Sequence, residues 1–356
     1  MRKLKHLELF ENWGESESTK LSKFLRTYDI YNYKINDDGS IDIDGDCIIT
    51  NMPYDTIPFK INKVDGDFKL MTSNVTSLKN SPTIIDGRCE IVSNPFLLSL
   101  DGISKEISDT ISIENNHRIK NLIGLQDIVY KSFLCTRNIN LTSLEGCPRI
   151  INGNIDITNN NITNLKFFPE YVKNDCRVCR TRITNLTGLP DTIHGDLIMN
   201  NNEYITTLEG LPKLIKGGIS LAWASALESL DKFINVEGKN INLSMCNINN
   251  IENHENYHNK IIDLSFNLKL TDLNLFKTFS DNNNIVDITS TPLSVITKII
   301  GIDNIDDLSR FKVIKKTDTD RYSFDIDRFN IFCIKNDIDY DEVEFENEIE
   351  KYYDII

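Results

Sequence analysis

The sequence predicts an α/β solenoid: a continuous parallel sheet with one strand per repeat, short turns on the outer side, and a cap at both ends. Three observations carry that expectation. The pattern hxhxxNxhxxh, where h is apolar, recurs from Cys47 to about Pro292, most clearly as Ile155, Ile157, Asn160, Ile162 and Leu165. Copies open at Cys47, Phe68, Cys89, Ile111, Phe133, Ile155, Cys176, Leu197, Ile219, Ile241 and Ile262, with a weaker twelfth near Val286, giving 11-12 repeats of 21-22 residues. The step length is also explained. Each 22-residue step begins with a copy carrying one extra residue after the Asn position, as in Asn94-Pro95-Phe96-Leu97. Units this small cannot bury an apolar face alone, so neighbours must stack.

In chain order, residues 1–44 are expected to form an N-terminal helical and hairpin cap. Leu4, Leu7 and Phe10 share one helical face, and Ser18 could cap a second helix through Leu21, Phe24 and Leu25. Tyr31 to Ile35 and Ser40 to Ile43 alternate apolar and polar around Asn36-Asp37-Asp38-Gly39, which signals a hairpin.

Residues 45–292 form the repeats. The hxh step has a strand's period of two, so both h side chains point into the core. The Asn that follows (Asn94, Asn116, Asn138, Asn160, Asn202, Asn267) has an amide able to satisfy backbone groups of a buried bend. Ser73, Thr181 and Cys246 can substitute, whereas Met52 and Ala224 should interrupt the ladder. The return segment L-x-G-h-P, as in Leu144-Glu145-Gly146-Cys147-Pro148, predicts loops and short turns rather than full helices. Residues 293–356 are expected to be a C-terminal helical cap, with a solvated acidic tail from Asp337.

Composition excludes several roles. A net charge of −14 argues against nucleic acid and anionic membrane as partners, both of which favour a basic surface. No apolar run approaches the roughly 18 residues of a spanning helix, and Glu8, Glu11 and Asn12 interrupt any apolar signal core, so the expected location is cytoplasmic. Of the eight cysteines, Cys47, Cys89, Cys135 and Cys176 occupy core positions, where a reduced thiol acts as a small hydrophobe.

The ladder resembles bacterial-type leucine-rich repeats, and the whole chain resembles uncharacterised repeat proteins of tailed bacteriophages. The residues that carry the resemblance are Leu7 through Trp13 (Leu-Glu-Leu-Phe-Glu-Asn-Trp), Asn32 through Asp46, the Leu141-Thr142-Ser143-Leu144-Glu145-Gly146-Cys147-Pro148 repeat core, and Thr291-Pro292-Leu293. The resemblance implies a protein-binding solenoid in a host cell's cytoplasm or in a virus particle. It carries no activity.

Candidate reaction centres are weak. His254-Glu255-Asn256-Tyr257-His258 fits the zinc-peptidase pattern H-E-x-x-H. However, it falls on a return segment too short for the required helix. Cys176 and Cys179 lie three apart on a strand, so they should face opposite sides and not share zinc. Asp42, Asp44 and Asp46 lack the spacing of a calcium loop. No catalysis, cofactor, metal or small-molecule substrate is expected. The outward strand positions are more informative. Trp223, Met245 and Phe266 precede the turn position in repeats nine, ten and eleven, where other repeats have Asn115, Asn159 or Asn201. They form either a binding strip or packing beneath the C-terminal cap. Arg137, Arg149, Arg177, Arg180 and Arg182 cluster in repeats five to seven, with Arg137 and Arg180 sharing a column about 10 Å apart. They clamp an acidic partner or pair with Asp156, Asp175 and Asp191. The expected function is a non-catalytic protein-binding module using the concave strand face from Arg137 through Phe266, with Arg137, Arg177, Arg180, Trp223, Met245 and Phe266 as its contact residues. The alternative is a structural component of a virus particle.

Overall fold

The computed structural model describes residues 16–228, 230, 236–249, 257–271, 283–301, 304–317 and 322–356. The helix expected at Leu4, Leu7 and Phe10, the opening of the phage-like stretch and most of the H-E-x-x-H segment lie outside these. The chain divides into two compact units, one ending at Arg177 and one beginning at Val178, each described by itself.

In the first unit, the repeats contribute the strands Cys47–Thr50, Phe68–Met71, Cys89–Val92, Ile111–Glu114, Phe133–Thr136, Ile155–Asp156 and Cys176–Arg177. They pair in parallel and in register, with Cys47, Phe68, Cys89, Ile111, Phe133, Ile155 and Cys176 aligned from strand to strand. The second unit continues the pattern through Leu197–Ile198, Ile219–Ser220, Asn240–Asn242, Ile261–Asp263 and Ile285–Asp287. Here Leu197, Ile219, Ile241, Ile262 and Val286 are aligned, so the weak twelfth copy is a genuine strand. Both apolar positions of the first eleven copies are buried.

The repeats form a parallel β-solenoid, which corrects the α/β character expected of them. Among the described residues the return segments contain no helix. Instead, most carry a two-residue strand, such as Ile84–Ile85, Glu106–Ile107, Ile150–Ile151 or Leu214–Ile215, paired in parallel with the next. The second residue of each is buried, which gives the core an opposite wall. In several repeats a glycine four residues before the strand keeps the corner tight, as Gly102, Gly146 and Gly210 do. A Cβ on Gly146, whose φ is +86°, would meet the backbone of Leu122 and Ile123 at 2.4 Å.

At the N-terminal end, the hairpin Tyr33–Ile35 with Ile41–Ile43 is present and joins the first of these return-side sheets, since Ile41 pairs in parallel with Ile61. Helix α1 (Glu17–Thr27) buries Leu21, Phe24 and Leu25 as its spacing requires. Its cap is Ser16, which accepts the Thr19 N–H, and not Ser18. At the other end, Thr291 stands at the Asn position of the last repeat and caps helix α2 (Pro292–Ile300). Helices α3 (Ile305–Arg310), α4 (Ile326–Lys335) and α5 (Glu342–Ile349) follow, with a small sheet of Ile314–Lys316, Tyr322–Phe324 and Tyr353–Ile355. The acidic tail is therefore folded, not solvated. Phe345, Ile349 and Tyr353 are buried, and Phe345 stacks on Phe329 with ring centroids 4.6 Å apart.

The turn Asn side chains join the repeats. Asn94, Asn116, Asn138 and Asn160 are buried. The Oδ1 of Asn94 accepts the Ser73 N–H at 3.0 Å, and the same bond runs from Asn94 to Asn116 (2.9 Å), Asn116 to Asn138 (2.8 Å) and Asn138 to Asn160 (2.9 Å). Each amide nitrogen donates back to the preceding repeat's strand carbonyl, as Asn138 does to Ile113 at 2.8 Å and Asn160 to Cys135 at 2.6 Å. In the second unit Asn202 does the same for Thr181 and Val178, while Asn267 donates to Leu243 but accepts the N–H of Ile248, two residues past the turn residue Cys246. Met52 and Ala224 offer no amide. Met52 gives its N–H to Ser73 Oγ (3.1 Å) and Ala224 gives its own to Leu221 (3.1 Å).

Deleting one amide strands two buried groups. Asn138→Ala leaves the Asn116 N–H and the Ile113 carbonyl without side-chain partners and should cost about 3 kcal/mol in urea unfolding. Asn140→Ala, two residues on and exposed, should cost roughly 0.5 kcal/mol or less.

Candidate functional site

The backbone places five of the six candidate contact residues, all but Arg177, by one rule. In each repeat, the residue before the turn position has a left-handed conformation: Asn51, Thr72, Ser93, Asn115, Arg137, Asn159, Arg180, Asn201, Trp223, Met245, Phe266 and Ser290 have φ between 48° and 65°. Here the strand ends and the chain bends toward the amide ladder, throwing this one side chain outward. Glycine and asparagine tolerate that region, while bulky side chains adopt it at a cost of roughly 1 kcal/mol or more. Arg137, Arg180, Trp223, Met245 and Phe266 all hold this position.

Trp223, Met245 and Phe266 are brought together. The Trp223 N–H donates to Ser244, and the Met245 N–H donates to Ser265, so the three stand on successive strands about 4.8 Å apart. Trp223 is 53% exposed and Phe266 44% exposed, with Met245 half-buried between them. Leu268, also exposed, lies two residues beyond Phe266 and escaped the sequence reading because the position after the turn has no fixed residue type. The column beside the strip is polar, with Ser220, Asn242 and Asp263 in register.

The arginines are more dispersed. In the first unit Arg137 and Arg177 sit two repeats apart and in different columns. Arg180 occupies the bend position of its repeat in the second unit. Among the described residues none of the three forms an ion pair, and all are exposed. The expected partners are engaged elsewhere or locally: Asp191 with Lys213 at 2.7 Å, and Asp156 with the Thr158 N–H at 2.9 Å. Arg149 is different, bridging Asp127 (3.3 Å) and Glu170 (3.8 Å) on the return side.

The residues with a superficial metal pattern are otherwise engaged. Asp42 accepts amide N–H groups of Asn36 (3.0 Å) and Asn62 (2.7 Å), and Asp46 accepts the Asp67 N–H (2.8 Å). Among the described residues no group of three His, Cys, Asp or Glu side chains is placed to hold a metal ion. Cys176 points into the core. Cys179, in the second unit, is also buried, its thiol donating to the Ile198 carbonyl at 3.5 Å. Burial pushes the Cys176 thiol up to about 12, which removes the thiolate that zinc or redox exchange needs. None of the eight cysteines is in a disulfide.

Among the described residues no helix is long and apolar enough to cross a membrane. Comparison of the chain with protein-family models, with curated proteins and with solved structures returns no match.

The buried thiols generate a pH prediction. Burial pushes Cys47, Cys89 and Cys135 up to about 12 in the folded chain, while an unfolded cysteine ionises near about 8.5. Between those values the unfolded chain binds fewer protons, so stability is intact below the lower value and falls as pH rises through the window. Unfolding free energies from urea titration should therefore fall steadily from about pH 8.5 upward, by roughly 1 kcal/mol per pH unit for each such thiol. Replacing Cys89 with Val should flatten the slope by one thiol's share.

Proposed function

We propose that this chain is a non-catalytic protein-binding module that engages its partner through the sheet face of the repeats. The observation that carries this reading is the composition of the left-handed column. A Trp and a Phe there incur a conformational cost that Asn avoids, and each still leaves about half of its surface in solvent. Folding alone would favour Asn, the commonest residue at that position in the other repeats (Asn51, Asn115, Asn159 and Asn201). Large exposed aromatic groups on a rigid backbone are the composition of interface hot spots. A backbone already fixed by the ladder leaves mainly side chains to be ordered on binding. Arg137, Arg177 and Arg180, exposed and without an ion pair, extend the reading to a partner with carboxylate or phosphate groups. The elements flanking the repeats act as end caps in this view. On the resemblance read from the sequence, we extend the proposal to a host protein as partner in a host-cell cytoplasm.

The test is a substitution that separates folding from binding. Trp223→Asn combined with Phe266→Asn should leave the thermal midpoint unchanged or raise it, by up to about 1 kcal/mol per site, because Asn suits the left-handed conformation. The same variant should lose the proteins that wild type retains from lysate. A variant that is clearly destabilised, or that retains the same proteins, would contradict the reading.

A further inference from the structure

Among the described residues, the last repeat leaves one edge of the second unit's ladder open, and its surroundings are shaped. The strand Ile285–Asp287 pairs there with Ile261–Asp263 and ends the ladder. Ladder parity identifies which backbone groups it uses. Ile285 N–H donates to the Lys260 carbonyl, and Asp287 and Thr289 carbonyls accept from Leu264 and Phe266, so the odd-numbered residues serve the neighbouring strand. Val286 and Ile288 therefore direct their N–H and C=O groups to the open edge. The Ile288 carbonyl is taken by Thr291 at 3.1 Å, but among the described residues nothing outside the ladder engages the N–H of Val286 or Ile288.

Beside that edge is a groove of about 450 Å³. One wall is the strand itself, continuously from Val286 to Ser290, and the other is built from Ser294, Val295, Thr297 and Lys298 of α2 with Glu348 and Tyr352. The left-handed bend at Ser290 and the cap at Thr291 send the chain into α2 at once, so the helix flanks the edge without filling it. Charge adds a second requirement. Asp263 and Asp287 stand directly opposite each other, a like-charge pair that a cross-strand cation would relieve.

We propose that this edge accepts an extended peptide segment of a partner protein, added as a further strand beside Val286–Ser290, with a Lys or Arg in register with Asp287. Edge-strand addition takes its affinity from main-chain hydrogen bonds and its selectivity from alternate side chains. This site is separate from the sheet-face strip and uses different chemistry, so either can fail without the other.

The test pans the full chain against a displayed library of linear peptides of roughly nine residues, long enough to span the groove at about 3.3 Å per residue. Enriched peptides should share a basic residue at one fixed position and bind wild type in fluorescence anisotropy. Ile288→Pro removes the edge-facing N–H without touching the existing ladder, a change that edge strands tolerate. It should weaken binding at least about tenfold. Asp287→Asn should erase the basic preference. Should Ile288→Pro fail to fold, N-methylation along the peptide gives the same answer on wild type: alternate positions should abolish binding and the others should not. Failure to enrich any peptide, equal binding by folded Ile288→Pro, an N-methylation profile without a period of two, or occupation of the edge by a second copy of the chain would each overturn the proposal.

Discussion

The structure depends on a side-chain amide that bonds in two directions at once. An Asn at the turn accepts the backbone N–H of the preceding repeat's turn and donates to that repeat's strand carbonyl, as Asn116 does with Asn94 and Ile91. Both bonded groups are buried, so the alternative to the amide is not water but an unsatisfied donor and an unsatisfied acceptor. That asymmetry explains the short list of substitutes. Thr181 can donate its hydroxyl to Asn202 at 2.7 Å, and Ser73 returns its own to Met71 at 2.8 Å, but each supplies only part of the amide's capacity. The parallel strands on either side are held by ordinary ladders. The bend between them is held by this column.

A consequence follows for the residue before the amide. The bend requires a left-handed backbone there, so that position is both the most restrictive in conformation and the most outward in projection. Where the chain places Asn, as at Asn115 or Asn159, conformation explains the residue. Trp223 and Phe266 have no such explanation. The terminal repeat shows the same geometry used structurally. Ser290 makes the bend, and Thr291, at the amide's position, caps a helix instead of linking to a further repeat. The solenoid thus ends by redirecting the chain, which leaves the last strand's edge open.

The parts legible in the sequence were those that repeat. Register could be read because every strand offers the same pair of apolar positions, and the ladder because Asn at a buried bend has few other uses. The second sheet was not legible, since pairs such as Ile84–Ile85 are too short for a period and become strands only by stacking. The left-handed column was hidden because its usual marker is Gly or Asn, and Trp, Phe and Arg conceal it. The tail was misread because its charge outweighed the spacing of Phe345, Ile349 and Tyr353, which together close a small aromatic core. The candidate strip was visible as composition. That Trp223 and Phe266 keep about half of their surface exposed required the coordinates.

The most direct measurement is hydrogen exchange, residue by residue, at the turn amides of Asn94, Asn116 and Asn138. If the side-chain ladder holds the bends, these N–H groups exchange only through global unfolding, as slowly as those of the strands before them. Exchange at the rate of exposed turns, while the strands stay protected, would contradict the account.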